Sequence, residues 1–126
     1  MLSRLSKISL LAATLVASSI VAWAGEPFDA KAFQSAQNAE KAILVDITAS
    51  WCPTCKQQRP IVQQIEKERQ DLIVYDVDFD TAKDVLKRFH VQYQSTLIVF
   101  RGSKEVARST GETDPAVIRS LIAKAF

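Results

Sequence analysis

The stretch AILVDITASWCPTCK, residues 42–56, holds both cysteines of the 126-residue chain. Its first part, Ala42 to Ala49, is a nearly continuous apolar run rich in β-branched residues. It is short and bounded by turn signals, so it reads as a strand covered on both faces rather than a helix. Pro53 suits the first position of a helix, which the pattern then carries to about Arg69. Cys52 therefore falls on the link between a buried strand and a helix N-terminus, with Cys55 one turn further on.

Working outward, LIVYDVD (72–78) is a second strand and TLIVFR (96–101) a third. Gly102-Ser103 turns the third into KEVARS, its antiparallel partner. Before the first strand, FDAKAFQSAQNA (28–39) carries Phe28, Ala32, Phe33 and Ala36 at helical spacing. Asp80 is expected to cap a helix that buries Val85, Leu86 and Phe89. Asp114 and Pro115 open a last helix that buries Val117, Ile118, Leu121 and Ile122. Strands separated by helices imply parallel pairing through right-handed crossovers, with the final hairpin adding an antiparallel edge. The fold class is α/β, a sandwich around a mixed, mainly four-stranded sheet.

Hydrophobic residues make up 48% of the chain and charged residues 24%, ordinary values for one globular domain. Residues 1–24 differ from the rest. Arg4 and Lys7 precede the uncharged run from Ile8, which ends in Ala22-Trp23-Ala24. A basic head, an apolar middle and a small-x-small end read as a secretory signal peptide cut after Ala24; left uncut, it would act as a membrane tether. The run is short and serine-diluted for a spanning helix, so no stable membrane insertion is expected after cleavage. Arg4 and Lys7 account for the whole formal charge of +2, leaving residues 25–126 formally neutral. Nothing in that balance points to nucleic acid. The leader implies a periplasmic or otherwise exported protein, where disulfides persist.

Three chemistries compete for two cysteines so placed. A structural staple closing four residues would gain only about 2 kcal/mol from chain entropy. A metal clip would have half a tetrahedral zinc site, and the single histidine, His90, sits at a helix end where a capping or surface role fits; a metal shared between subunits stays open. A redox pair fits the position best. At a helix N-terminus, free N–H groups and the macrodipole favour a thiolate at Cys52. Cys52 would be the exposed attacker and Cys55 the shielded partner that releases the product. Asp46 interrupts ILVDIT, where burial raises a carboxyl pKa, and would serve Cys55 as a general base through water.

DITASWCPTCK resembles the active-site segment of the thioredoxin family: a buried aspartate, a strand end, Trp-Cys-x-x-Cys-Lys and a helix start. Pro60 matches the family's kink in the active-site helix and Gly111 its glycine beside the substrate cleft. The likeness runs over nearly all of 28–126. It implies a three-layer thioredoxin-like sandwich and a thiol–disulfide oxidoreductase. The catalytic residues would be Cys52, Cys55 and Asp46, with no cofactor beyond the redox-active Cys52–Cys55 pair and no metal. Substrate contacts would come from Trp51, Pro53, Thr54, Gln94, Ser95, Thr96 and Gly111.

The chain departs from the family's pattern in four places. Ser95 stands where the family has a cis proline, so this loop should be trans or strained. Asp76 falls at the family's lysine near the buried aspartate, which should push one of the two carboxyl pKa values up. Thr48 replaces the first of two tryptophans. The family's N-terminal strand is missing, leaving strand 72–78 at the sheet edge with Asp76 and Asp78 guarding it.

The implied partners are protein disulfides or dithiols. The Pro-Thr dipeptide lacks the histidine of strongly oxidising relatives, which favours a reductant recharged by a membrane electron-delivery protein. Two other readings of the same cysteines are a metal-binding or metal-bridged module and a non-catalytic partner-binding domain.

Overall fold

The structure, a computed structural model, describes residues 25–126. The leader read from residues 1–24 lies outside the described residues. Strands β1 (Glu26–Pro27), β2 (Ala42–Thr48), β3 (Leu72–Asp78), β4 (Thr96–Arg101) and β5 (Lys104–Thr110) form one mixed sheet in the order β1-β3-β2-β4-β5. Helices α1 (Ala30–Asn38), α2 (Pro53–Glu68), α3 (Lys83–Arg88) and α4 (Pro115–Ala123) cover it. The result is the α/β sandwich expected from the pattern, in the three layers that the family resemblance implies.

Two details of the sheet differ from the sequence reading. The expected four strands become five, because Glu26 and Pro27 pair in parallel with Tyr75 and Asp76. Strand β3 is therefore not a bare edge over that part of its length. Pro27 has no N–H to give, which helps keep the added strand to two residues. Strand β4 also follows a helix, yet it runs antiparallel to β2. Helix α3 has only six residues, about 9 Å of rise, and does not carry the chain back across the sheet. Strand β4 thus starts at the end of the sheet where β3 finishes. Thr96 pairs with Ile47, bringing the residues before Thr96 to the end of β2 from which Cys52 departs.

The alternation along β2 builds two cores. Ala42 and Leu44 face α2 and α4 with Val62, Ile65, Ile118 and Ile122. Ile43, Val45 and Ile47 face α1 and α3 with Phe33, Leu86 and Phe89. On that side Phe33 meets Phe89 and Phe100 edge-on, with ring centroids 5.4 and 5.3 Å apart. Asp46 and Thr48 continue the period-two face of Ala42 and Leu44, so the α2 side of the sheet turns from apolar to polar towards the cysteines.

The caps follow the sequence at α1, where Asp29 accepts the Ala32 N–H at 2.7 Å, and at α4, where Asp114 accepts from Ala116 at 2.8 Å. Helix α3 departs from it: its N-cap is Ala82, with no side-chain bond, and Asp80 is engaged elsewhere. Val117, expected inside, is 45% exposed, while Ile118 and Ile122 carry the packing of α4.

Candidate active site

Cys52 is the N-cap of α2, with extended backbone and Pro53 at the first helical position. Its Sγ accepts the Cys55 N–H at 3.0 Å and is joined to Cys55 in a disulfide. The sulfur sits where the unpaired amides of the helix start converge. The expected exposed attacker is corrected in this oxidised state: Cys52 is 1% and Cys55 2% exposed. Both lie in a small apolar cluster with Ala49, against which Phe79 packs. Among the described residues, no group of three or more His, Cys, Asp or Glu is placed to hold a metal ion.

Asp46, on the face of β2 that Leu44 shares, is buried, with one carboxylate oxygen lacking any hydrogen-bond partner. Strand register sets it directly beside Asp76 on β3. Burial, and then the neighbouring Asp76 charge, push its pKa up to about 7, against a smaller opposing pull from Arg59. Asp76 is itself raised by burial and held back by Arg59 and by the Gly25 backbone N–H. Glu66 on α2 is raised too, by burial and then by Asp76 and Glu26. Arg59 brings its guanidinium into this acidic layer, 3.4 Å from the Thr48 hydroxyl. A cavity of about 410 Å³ opens beside the layer, lined by Gly25, Pro27, Thr48, Arg59, Asp76 and Asp78, among others.

The comparisons with known proteins agree with this geometry. The sequence profile of the family described as Thioredoxin matches residues 25–124. The chain belongs to the thioredoxin family. It is 35% identical to Thioredoxin-2 of Saccharomyces cerevisiae over 86 residues, covering 68% of this chain and 82% of that protein. The crystal structure of Trxlp from Edwardsiella tarda EIB202 superposes with a TM-score of 0.74 at 41% identity, over 77% of this chain and 96% of that one. Thioredoxin NaTrxh from Nicotiana alata superposes equally well, TM-score 0.74 at 27% identity, over 86% and 97% of the two chains. With its disulfide-forming Cys52–Cys55 pair, this thioredoxin-family chain is a thiol–disulfide oxidoreductase whose redox group is the pair itself.

The departures from the family pattern take definite form. Among the described residues every peptide bond is trans, including the one into Ser95, and Ser95 adopts φ 56° in the left-handed region. That conformation is strained for a residue with a Cβ. Ser95 and Thr96 are both buried. The Ser95 hydroxyl donates to the Gln94 carbonyl at 2.6 Å, and the Thr96 hydroxyl to the Tyr93 carbonyl at 2.8 Å. Their side chains thus shape the loop from inside. Trp51, Pro53 and Gly111 are exposed, and Thr54 and Gln94 are half-buried. The Gly111 N–H donates to the Ser95 carbonyl at 2.9 Å, joining two of the sequence-read positions directly.

Sequence reasoning missed four residues. Arg59 supplies the cation that the Asp76 position lacks. Asp80 accepts the Trp51 indole N–H, and Tyr93 projects from the loop before β4. Gln58 is 1% exposed inside α2. A signal existed for Gln58: it stands three residues after Cys55 and four before Val62, a polar residue on the apolar stripe.

Proposed function

We propose that this chain is an exported protein-disulfide reductase. The observation that carries the reading is the Cys52 sulfur at the α2 N-terminus, accepting an N–H and bonded to Cys55. In the reduced protein the Cys52 thiolate attacks one sulfur of a substrate disulfide. That S–S bond breaks, a Cys52–substrate bond forms, and the first substrate sulfur leaves and takes a proton. Cys55 gives its proton to Asp46 through water, then attacks the Cys52 sulfur. The mixed disulfide breaks, the second substrate sulfur leaves as a thiol, and Cys52–Cys55 forms. Two electrons pass from the dithiol to the substrate. Asp46, with its pKa near 7, can both take and return a proton at neutral pH, and the adjoining cavity offers water a way to the acidic layer.

Export is supported by the residue pattern of 1–24, with cleavage after Ala24 and the domain at 25–126. In an oxidising compartment a reductant needs a dithiol donor, and a membrane electron-delivery protein is the class that fits. The reductase direction is supported by the Pro-Thr dipeptide, which adds no cation beside Cys52 to stabilise its thiolate further. Trp51, Pro53, Thr54, Gln94 and Gly111 border the pair as the substrate-facing set, with Ser95 and Thr96 shaping it from behind.

The test is a reduction potential combined with turnover of insulin by the dithiothreitol-reduced protein. A potential of about −270 mV and turnover abolished by Cys52→Ser support the reading, whereas a value near −120 mV marks an oxidant instead. Terminal sequencing of the protein recovered from expressing cells should begin at Gly25. Recovery of the intact chain from the cytosol would remove the export step.

A further inference from the structure

Gln58 lies on the inner face of α2, on the stripe that Val62 and Ile65 continue into the core. Burying an amide costs least where its hydrogen bonds are made; the Gln58 Oε1 has no partner, so the nitrogen carries all the pairing. Its nitrogen makes two, to the Ser95 carbonyl at 3.2 Å and to the Glu112 carbonyl at 2.8 Å. Both neighbours are backbone acceptors, so the amide is held nitrogen-first. The Ser95 carbonyl receives the Gly111 N–H as well. One side chain on the cysteine helix thus stitches together the two loops at this end of the sheet, 93–95 and 111–112.

The first of these loops has no proline to fix it. It is trans at Ser95, left-handed there, and closed on itself by the Ser95 and Thr96 hydroxyls. A left-handed serine persists only where its surroundings over-determine it. Gln58 is the contact that reaches it from the redox helix. The loop carries Tyr93, 63% exposed, at the same end of the sheet as Trp51, 53% exposed. An aromatic side chain held out in water by an internally bonded loop has little ordering left to lose when it meets a partner.

We propose that Gln58 is a positioning residue for protein substrates: by clamping the trans loop 93–96 it presents Tyr93 as an aromatic contact for the polypeptide flanking the substrate disulfide. The inference rests on the exchange reaction proposed above. It separates recognition of a protein from the chemistry of the sulfurs. A small disulfide has no flanking chain and should not sense the clamp.

The experiment compares insulin, with dithiothreitol as the electron donor, with dithiobis-nitrobenzoate added to pre-reduced protein freed of dithiothreitol, in the wild-type full chain and in Gln58→Leu and Tyr93→Ala. Leucine removes the donors at similar volume. Tyr93→Ala alters an exposed side chain and leaves the scaffold intact, so it tests the contact even if Gln58→Leu does not fold. KM for insulin should rise about fivefold in each variant, with kcat and the small-disulfide rate within about twofold of wild type. Amide exchange at Gly111, whose N–H is bonded to Ser95, should quicken in Gln58→Leu and stay unchanged in Tyr93→Ala. An unchanged insulin KM in Tyr93→Ala overturns the inference, as does an equal fall on both substrates in folded Gln58→Leu. Wild-type protein inert towards both disulfides overturns the exchange reading, and this inference with it.

Discussion

The Trp51 indole N–H donates to the Asp80 carboxylate at 2.7 Å, across 29 residues of sequence. The bond ties the residue before Cys52 to the turn after β3. It explains why Asp80 does not cap α3, and why Trp51 can be half in water yet held in place. Replacing Asp80 by Ala should free the indole. Because the pair is exposed, the stability cost should be small, about 1 kcal/mol by denaturant unfolding. The Trp51 fluorescence should shift as the carboxylate leaves. An unaltered emission spectrum would show that the bond does not restrain the ring in solution.

Asp46 should make the oxidised protein less stable as pH rises. Its folded pKa of about 7 exceeds the ordinary aspartate value of 3.8, so between these values the folded state holds a proton that the unfolded state has released. The stabilisation is complete below pH 3.8 and is lost as pH climbs through about 7. The span corresponds to roughly 4 kcal/mol. Asp46→Asn carries no proton to lose. Its urea midpoints at pH 5 and pH 8 should converge, and at pH 8 it should be more stable than the parent. The same variant should release mixed disulfides about a hundredfold more slowly, at the low end of general-base effects. A parent protein equally stable at both pH values would contradict the buried-acid account.

Ser95 invites a test that runs against ordinary propensity. At φ 56° a Cβ is a liability, so Ser95→Gly should be more stable than Ser95→Ala by about 1 kcal/mol. Both variants lose the hydroxyl bond to Gln94, so their difference isolates the backbone term, offset in part by the greater unfolded-state freedom of glycine. Thermal unfolding of the two oxidised variants reads it directly. Equal stabilities would mean the loop relaxes out of the left-handed region in solution.

Much of this molecule was legible in its sequence because the signals were local. The run from Ala42 to Ala49, the Pro53 helix start and the Asp114 cap each depend on residues within a few positions, and each stands where it was read. The pairing of β4 was not legible, because it depends on how far a six-residue helix carries the chain. Asp80 failed as a cap for a related reason: a tryptophan distant in sequence offered it a hydrogen bond. The cysteines were found from spacing alone. Their burial was not, since it depends on Ala49 and Phe79 closing over them. Arg59 was hidden because it acts on residues brought close only by the fold, and the stripe position of Gln58 marks its burial but not its partners, which are also distant in sequence.

The acidic residues around Asp46 supply the last prediction, and it comes with opposite signs. Asp76 and Arg59 act on Asp46 in contrary directions: the first raises its pKa and the second lowers it. Arg59→Gln removes the favourable charge and should move the Asp46 titration to higher pH. Asp76→Asn removes the repulsion and should move it to lower pH. Glu66 feels both Asp76 and Glu26, so the carboxyl carbons of all four acids need to be followed by NMR to assign the steps. If the proton on Asp46 governs release of the mixed disulfide, the pH midpoint of that step should follow the titration in both variants, alkaline in one and acid in the other. A uniform slowing without movement of the midpoint would assign Arg59 and Asp76 to packing and leave Asp46 set by burial alone.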